Sequence, residues 1–213
     1  MESFRLPFVA PEGMDELWSR GWRHFGPEFF RYSFVEISGK WEVVLPLRVD
    51  LEKFEPTKSQ RRNLRKNAGI DLCVRPASLT LEAAALFSRH KTRFVENVPD
   101  SLASFLGPAP GTVPCACLEL RCQLAGDLVA LSFFDLGICS VSSVYGMFEP
   151  THASRGLGIF TLLQEMEWAR GRGLRYVYPG YATVGPSHYD YKKQFRGLEA
   201  FDWSSGTWQA WEG

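Results

Sequence analysis

The chain is predicted to fold as an α/β protein: a mixed sheet with flanking helices, preceded by a small hairpin-and-helix part. Three features predict this. From Asp71 onward, strand-like and helix-like stretches alternate. Within that half, Ser140-Val141-Ser142-Ser143-Val144-Tyr145 and Tyr176-Val177-Tyr178-Pro179-Gly180-Tyr181 flank an apolar-striped helix that opens on Ser154-Arg155-Gly156-Leu157-Gly158. A strand feeding a glycine turn at a helix N-terminus is a physical device for holding phosphate, because unpaired backbone N–H groups point outward there. Finally, 213 residues with 45% hydrophobic content suffice to bury a full core.

In chain order, Met14-Asp15-Glu16-Leu17-Trp18 reads as a short helix ended by Gly21. Residues 30–37 and 41–49 alternate imperfectly around Ser38-Gly39-Lys40, the pattern of a hairpin. Pro56-Thr57 opens a helix with Thr57 or Ser59 as its cap. That helix carries Lys58, Arg61, Arg62, Arg65 and Lys66 with no acid among them, and the spacing gathers most of these cations on one face. A solvated surface accounts for such a face, and so does contact with a phosphate backbone. A strand is expected over 71–75, then a helix over 79–95 with Leu81, Ala84, Ala85 and Phe87 inward. The long stretch around Pro108-Ala109-Pro110-Gly111 reads as a functional or mobile loop. Residues 115–124 and 128–136 form a hairpin about Ala125-Gly126-Asp127. Strand 139–148, helix 154–171 with its stripe Ile159, Leu162, Leu163 and Met166, and strand 176–181 follow. The expected division is a hairpin-and-basic-helix part over 1–70, packed on a main domain over 71–213.

Composition narrows the function. With 24 Lys and Arg against 24 Asp and Glu, no global field draws the molecule to nucleic acid or membrane, so an anionic partner must be held by a local patch. Apolar runs such as 128–134 are far too short to cross a bilayer, and Met1-Glu2-Ser3-Phe4-Arg5 is not a signal peptide. A cytoplasmic protein without a membrane partner is expected. The five cysteines (Cys73, Cys115, Cys117, Cys122, Cys139) include no C-x-x-C pair and sit in apolar, strand-like segments. They read as structural thiols, with no zinc or iron–sulfur site expected.

The ordered set Ala130…Asp135…Ser142-Ser143-Val144-Tyr145…Glu149-Pro150…Gly156-Leu157-Gly158…Glu165…Gly180-Tyr181…Tyr191-Lys192…Phe195 resembles the C-terminal part of arginyl- and leucyl-tRNA–protein transferases. Upstream, Gly21-Trp22-Arg23, Pro46-Leu47-Arg48-Val49, Phe54 and Ser59-Gln60-Arg61-Arg62…Lys66-Asn67 are similar to that family's N-terminal segment. The resemblance implies a fold like the GCN5-related N-acetyltransferases (GNAT-like) and transfer of an amino acid from tRNA to a protein N-terminus. It also implies that strands 139–148 and 175–181 run parallel and splay into a V. One departure stands out. The family carries paired cysteines before the Arg-Val step, where they bind a metal or iron–sulfur cluster, whereas here residues such as Trp41 and Val44 fill that segment.

The chemistry so implied is attack of an amine on an activated acyl group, which needs alignment and oxyanion stabilisation rather than a conventional triad. The histidines (His24, His90, His152, His188) are scattered, with none placed as a base. The catalytic candidates are Ser143 and Tyr145, expected to share a strand face, together with Asp135 and Tyr181; Glu165 is a further general-base candidate. Asp135 reads as an α-amine ligand or a turn residue. The phosphate-binding candidates are Lys58, Arg61, Arg62, Arg65, Lys66, Arg155, Gly156 and Gly158. Tyr191 would stack on a terminal adenosine and Lys192 would pair with phosphate. Ala153 stands where acetyl-CoA enzymes commonly place Gln or Arg, which favours tRNA over CoA. The expected partners are aminoacyl-tRNA as co-substrate, with no cofactor, and a protein, peptide or small-amine acceptor. An acyl-CoA N-acyltransferase, with acetyl-CoA or another acyl-CoA as co-substrate, and a non-catalytic tRNA- or peptide-binding module are the alternatives.

Overall fold

The computed structural model describes residues 1–37, 39–94, 98–187 and 189–211. Ser38 of the expected hairpin turn, Val95 at the end of an expected helix, and His188 lie outside the described residues. The chain begins with β1 (Glu2–Arg5), α1 (Pro11–Ser19), β2 (Arg23–Phe25) and β3 (Glu28–Arg31), which make a three-stranded sheet in the order β1–β3–β2 with α1 beside it. β4 (Phe34–Ile37) pairs with the first residues of β5 (Lys40–Asp50), so the expected hairpin forms over those residues. Residues 30 and 31, expected in the same hairpin, belong instead to β3 of the small sheet.

The main sheet adds β6 (Asp71–Pro76), β7 (Cys117–Leu124), β8 (Asp127–Leu136), β9 (Ser140–Phe148), β10 (Tyr176–Thr183), β11 (Leu198–Asp202) and β12 (Thr207–Ala210). Its order is β12–β11–β5–β10–β9–β8–β7–β6. β5 is therefore an interior strand of the main sheet, and a division at residue 70 cuts across that sheet's own hydrogen bonds. The β7–β8 hairpin turns on Ala125 and Gly126, both at positive φ (52° and 91°), which matches the right-handed twist of the flanking strands.

Among the described pairs of this sheet, β9 and β10 are parallel and the rest antiparallel. The parallel pairing covers only Ser140, Val141 and Ser142 against Tyr176, Val177 and Tyr178, although both strands continue for several residues. On its other side, β10 slips register against β5 between Val177 and Gly180. Such irregularities re-aim a strand and end its pairing. The expected V between these two strands is thus present, and the mixed sheet with flanking helices matches the expected α/β architecture.

Three helices matter most for the site. α2 (Lys58–Lys66) starts with a capping box: the Thr57 hydroxyl accepts from the Gln60 amide, and the Gln60 side chain accepts from the Thr57 amide. α3 (Leu81–His90) is capped by Thr80 and buries Ala83, Leu86, Phe87 and His90. That differs from the expected inward set. Phe87 is buried as expected, but Ala84 and Ala85 are exposed and Leu81 is 91% exposed, because the face that meets Leu131, Phe133 and Met147 of the sheet runs through Ala83, Leu86, Phe87 and His90. The Pro/Gly-rich loop that follows contains a short helix, α4 (Ala103–Leu106). α5 (Leu157–Arg170) packs Leu157, Phe160, Leu163 and Met166 on the opposite face of the sheet, against Phe134, Val141 and Val177. The helix expected to begin at 154 begins at 157, after a 3-10 turn over Pro150–Arg155. α1 contributes Met14 and Trp18 to a third cluster with Phe29, Cys115 and Tyr178, which seats the small sheet against β10.

Candidate active site

Four residues from distant parts of the chain converge in the V. Arg23 enters from β2, donating one hydrogen bond to the Ser142 hydroxyl at 2.9 Å and another to the Ser143 carbonyl. Lys192 enters from a 3-10 turn over Asp190–Gln194, its Nζ 3.5 Å from the Tyr181 carbonyl. Both cations close on Gly180: a Cβ there would lie 3.1 Å from Lys192 Nζ and 3.5 Å from Arg23 Cζ, and its φ of +102° excludes most other residues as well. Glu165 comes from α5, is 1% exposed, and has one carboxylate oxygen with no hydrogen-bond partner among the described residues.

Burial dominates the electrostatics. It pushes the Glu165 carboxyl up to about 7, while the nearby hydroxyls of Ser132 and Ser143 and the cations Lys192 and Arg23 pull the other way. It pulls the Lys192 ammonium down to about 7; Arg23 adds repulsion and Glu165 opposes it. Arg23 is lowered by the same desolvation. An acid and a cation both drawn toward neutrality and electrostatically coupled in a strand splay are suited to exchanging protons with a substrate.

The sequence-predicted residues are distributed differently from expectation. Ser143 and Tyr145 do not share a face. A bulge in the β8–β9 ladder sets Ser143 opposite Phe134 and Tyr145 opposite Phe133, and those two phenylalanines belong to cores on opposite sides of the sheet. Ser143 therefore faces Glu165, whereas the Tyr145 ring stacks on Phe105 at 4.2 Å and its hydroxyl is buried with no partner among the described residues. Tyr181 is committed to structure: its hydroxyl donates to the Gly21 carbonyl at 2.6 Å, and burial raises its pKa. Asp135 is neither a turn residue nor an open ligand. It sits inside the β7–β8–β9 ladder, 2% exposed, with His24 Nε2 at 2.7 Å.

The basic helix and the glycine turn are brought together. Asn63 of α2 and Asn67 at its C-terminal cap donate to the Arg155 and Gly156 carbonyls at 3.0–3.1 Å, and Lys66 Nζ donates to the Ser154 carbonyl at 2.6 Å. Arg155 returns a hydrogen bond to the Lys66 carbonyl. Lys58, Arg61, Arg62, Arg65 and Lys66 are all exposed, and those held by hydrogen bonds (Arg61 to Pro56, Lys66 to Ser154) bind neutral carbonyls that leave their charge uncancelled. No side chain caps α5, so its N-terminal amides lie beside this cationic face. Gly156 is required by its left-handed φ of +66°, while a Cβ at Gly158 would make only an ordinary 3.7 Å contact with Phe148. Tyr191 packs against the α5-side core, so it is not the open stacking platform expected, and the aromatic neighbour of the Lys192 ammonium is Tyr189 at 4.8 Å. The Gln60 side chain donates to the Gln194 carbonyl, which links the basic helix to the turn that carries Lys192. Glu165 lies eight residues along α5 from its first residue, roughly 12 Å of axial rise.

Sequence reasoning missed Arg23 as a site residue and kept Glu165 only among the base candidates. Glu165 did carry a signal, since it interrupts the apolar stripe of Leu162, Met166 and Ala169, where an unpaired acid is costly.

A splayed mixed sheet with a buried acid and two half-buried cations in the splay defines a GNAT-like acyltransferase. Residues 82–202 match the family model described as arginine-tRNA-protein transferase, C terminus, and the chain belongs to that family of aminoacyl-tRNA–protein transferases. An aspartate/glutamate leucyltransferase of Stenotrophomonas maltophilia (strain K279a) is 33% identical over 172 residues, covering 76% of this chain and 67% of that protein. A protein of the same name from Saccharophagus degradans (strain 2-40 / ATCC 43961 / DSM 17024) is 29% identical over 206 residues, covering 91% of this chain and 84% of that one. The crystal structure of FemX superposes with a TM-score of 0.51 at 10% identity, over 84% of this chain and 63% of that one, a likeness of fold alone. Among the described residues, no helix is long and apolar enough to cross a membrane.

Proposed function

We propose that this chain moves an amino acid from a charged tRNA to the free amine of a protein N-terminus. The observation that carries the reading is the meeting of Arg23 and Lys192 at Gly180, both electrostatically coupled to the buried Glu165 carboxylate, one of whose oxygens has no partner among the described residues. The aminoacyl ester is already activated, so the charged tRNA is the only co-substrate the reaction needs. The acceptor ammonium gives a proton to Glu165, and the neutral amine forms the new N–C bond at the ester carbonyl. Arg23 and Lys192 stabilise the oxyanion that develops on the carbonyl oxygen. As the C–O bond breaks, Lys192 returns a proton to the departing ribose oxygen. The second proton lost by the amine passes through Glu165, once its first has gone to solvent, and recharges Lys192.

The exposed cations of α2, Arg155 and the N-terminus of α5 hold the phosphates of the acceptor end. That cationic face supports tRNA over an acyl-CoA, whose short phosphate-bearing arm would not need a second helix. The name shared by the relatives supports leucine as the transferred residue and an acceptor bearing Asp or Glu. The test is transfer of labelled leucine from charged tRNA to peptides with N-terminal Asp, Glu or Ala, with acetyl-CoA as the competing donor. Label on the Asp and Glu peptides is expected. Turnover of acetyl-CoA alone, or tRNA binding without transfer to any peptide, would overturn the reading.

A further inference from the structure

A second cluster, beside Ser142, takes no part in the proposed chemistry. His24 of β2, Cys115 just ahead of β7 and Asp135 of β8 are all buried, and their donor atoms lie within 4.8 Å of one another. The orientation of His24 is informative. Its Nδ1 lies 2.8 Å from the Gly26 carbonyl, which only accepts, so Nδ1 carries the proton. In a neutral imidazole, Nε2 is then a bare lone pair, yet it faces the Asp135 carboxylate at 2.7 Å. Two lone pairs so close require a positive charge between or beside them.

We infer that His24 Nε2, Cys115 Sγ and the Asp135 carboxylate bind a divalent metal ion of the zinc class. A ring nitrogen, a thiolate and a carboxylate suit zinc, and the sulfur and nitrogen donors disfavour magnesium or calcium. The hydrogen bond from the far ring nitrogen to a backbone carbonyl is the usual support for a metal-bound imidazole. Charge also balances: a dication with one thiolate, one carboxylate and one neutral imidazole is neutral, which is what a buried site needs. Zinc at its ordinary bond lengths holds N and O ligands roughly 3.3 Å apart, so the His24–Asp135 pair opens by about half an ångström to admit it. Binding displaces the thiol proton of Cys115 and any proton shared between His24 and Asp135.

The consequence is architectural. The metal joins the small N-terminal sheet, through His24, to the main sheet, through Asp135 and Cys115. It does so one residue from Arg23, whose partner Ser142 pairs directly with Asp135 across the β8–β9 ladder.

The test uses the full chain and the metals alone. Purified protein is loaded with Zn²⁺ or Co²⁺ and dialysed into metal-free buffer. About one equivalent is expected to stay bound, the cobalt form should show a thiolate-to-metal charge-transfer band, and chelation should lower the thermal midpoint. Cys115→Ser should lose the band, while Cys73→Ser and Cys139→Ser, at exposed cysteines, should keep it. If Cys115→Ser does not fold, the wild-type cobalt spectrum and the two control variants still decide. No retained metal, cobalt bound without a thiolate band, a band unchanged in folded Cys115→Ser, or a band lost in either control would each overturn the proposal.

Discussion

The basic face of α2 and the V between β9 and β10 both present cations to the same proposed substrate, yet they obey different physics. The α2 cations are exposed and act through a field that salt screens within roughly 10 Å. Lys192 and Arg23 are half-buried, so desolvation weighs on their state more than salt does, and Lys192 is drawn down to about 7. Salt is therefore the lever on the first region and pH on the second. On the proposed reading, binding belongs to the surface and proton transfer to the splay.

The largest effect should come from the splay. Glu165→Gln, nearly isosteric at a carboxylate with one unsatisfied oxygen, should lower single-turnover transfer by about 10²–10⁴-fold while leaving tRNA affinity within about twofold. Lys192→Met should fall in the same range, and equal losses of kcat and kcat/KM would mark both as acting on the transition state. Arg61, Arg62 and Arg65 replaced together with Ala should do the reverse. Transfer at saturating tRNA stays near wild type, while binding weakens by about 10–100-fold and the slope of log K against log salt falls by roughly 2–3 in filter binding.

Two smaller effects concern stability. Gly156→Ala meets Asn63 Nδ2 at 2.7 Å and must hold a φ of +66°, so chemical denaturation should show a loss of about 1–3 kcal/mol. The sequence-level view of that turn as free to approach a phosphate has to include this packing, because its carbonyls are already held by α2. Thr57→Ala removes one half of the α2 capping box and should cost about 1 kcal/mol, with the tRNA salt slope intact.

What was legible in the sequence follows the same division. Exposed charges announce themselves by spacing, so the α2 face could be read from Lys58 to Lys66, and its cap Thr57 with it. The parallel strands and their splay were legible only through family resemblance, because short apolar runs do not disclose their partners. The splay's members lie at positions 23, 165, 180 and 192; Glu165 stands out as an acid in an apolar stripe, but nothing in the sequence discloses that the four meet. Ser143 and Tyr145 show why: period-two reasoning puts them on one face, and a single extra residue in β9 separates them. The α3 stripe failed for a related reason, since Leu81 and Leu86 are both apolar and only the partner surface decides which is buried.

The central claim is that Glu165 and Lys192 exchange the protons of transfer. Burial raises the Glu165 carboxyl, so it is a competent base only as pH rises through about 7, and it lowers the Lys192 ammonium, so it is a competent acid only below about 7. The most direct measurement is the pH dependence of single-turnover transfer at saturating charged tRNA, over about pH 5.5–9, for wild type and Glu165→Gln. The account predicts a bell centred near 7 for wild type and loss of the rising limb, with a far lower rate, in the variant. A wild-type profile that is flat across that range, or a rising limb that survives in Glu165→Gln, would contradict it.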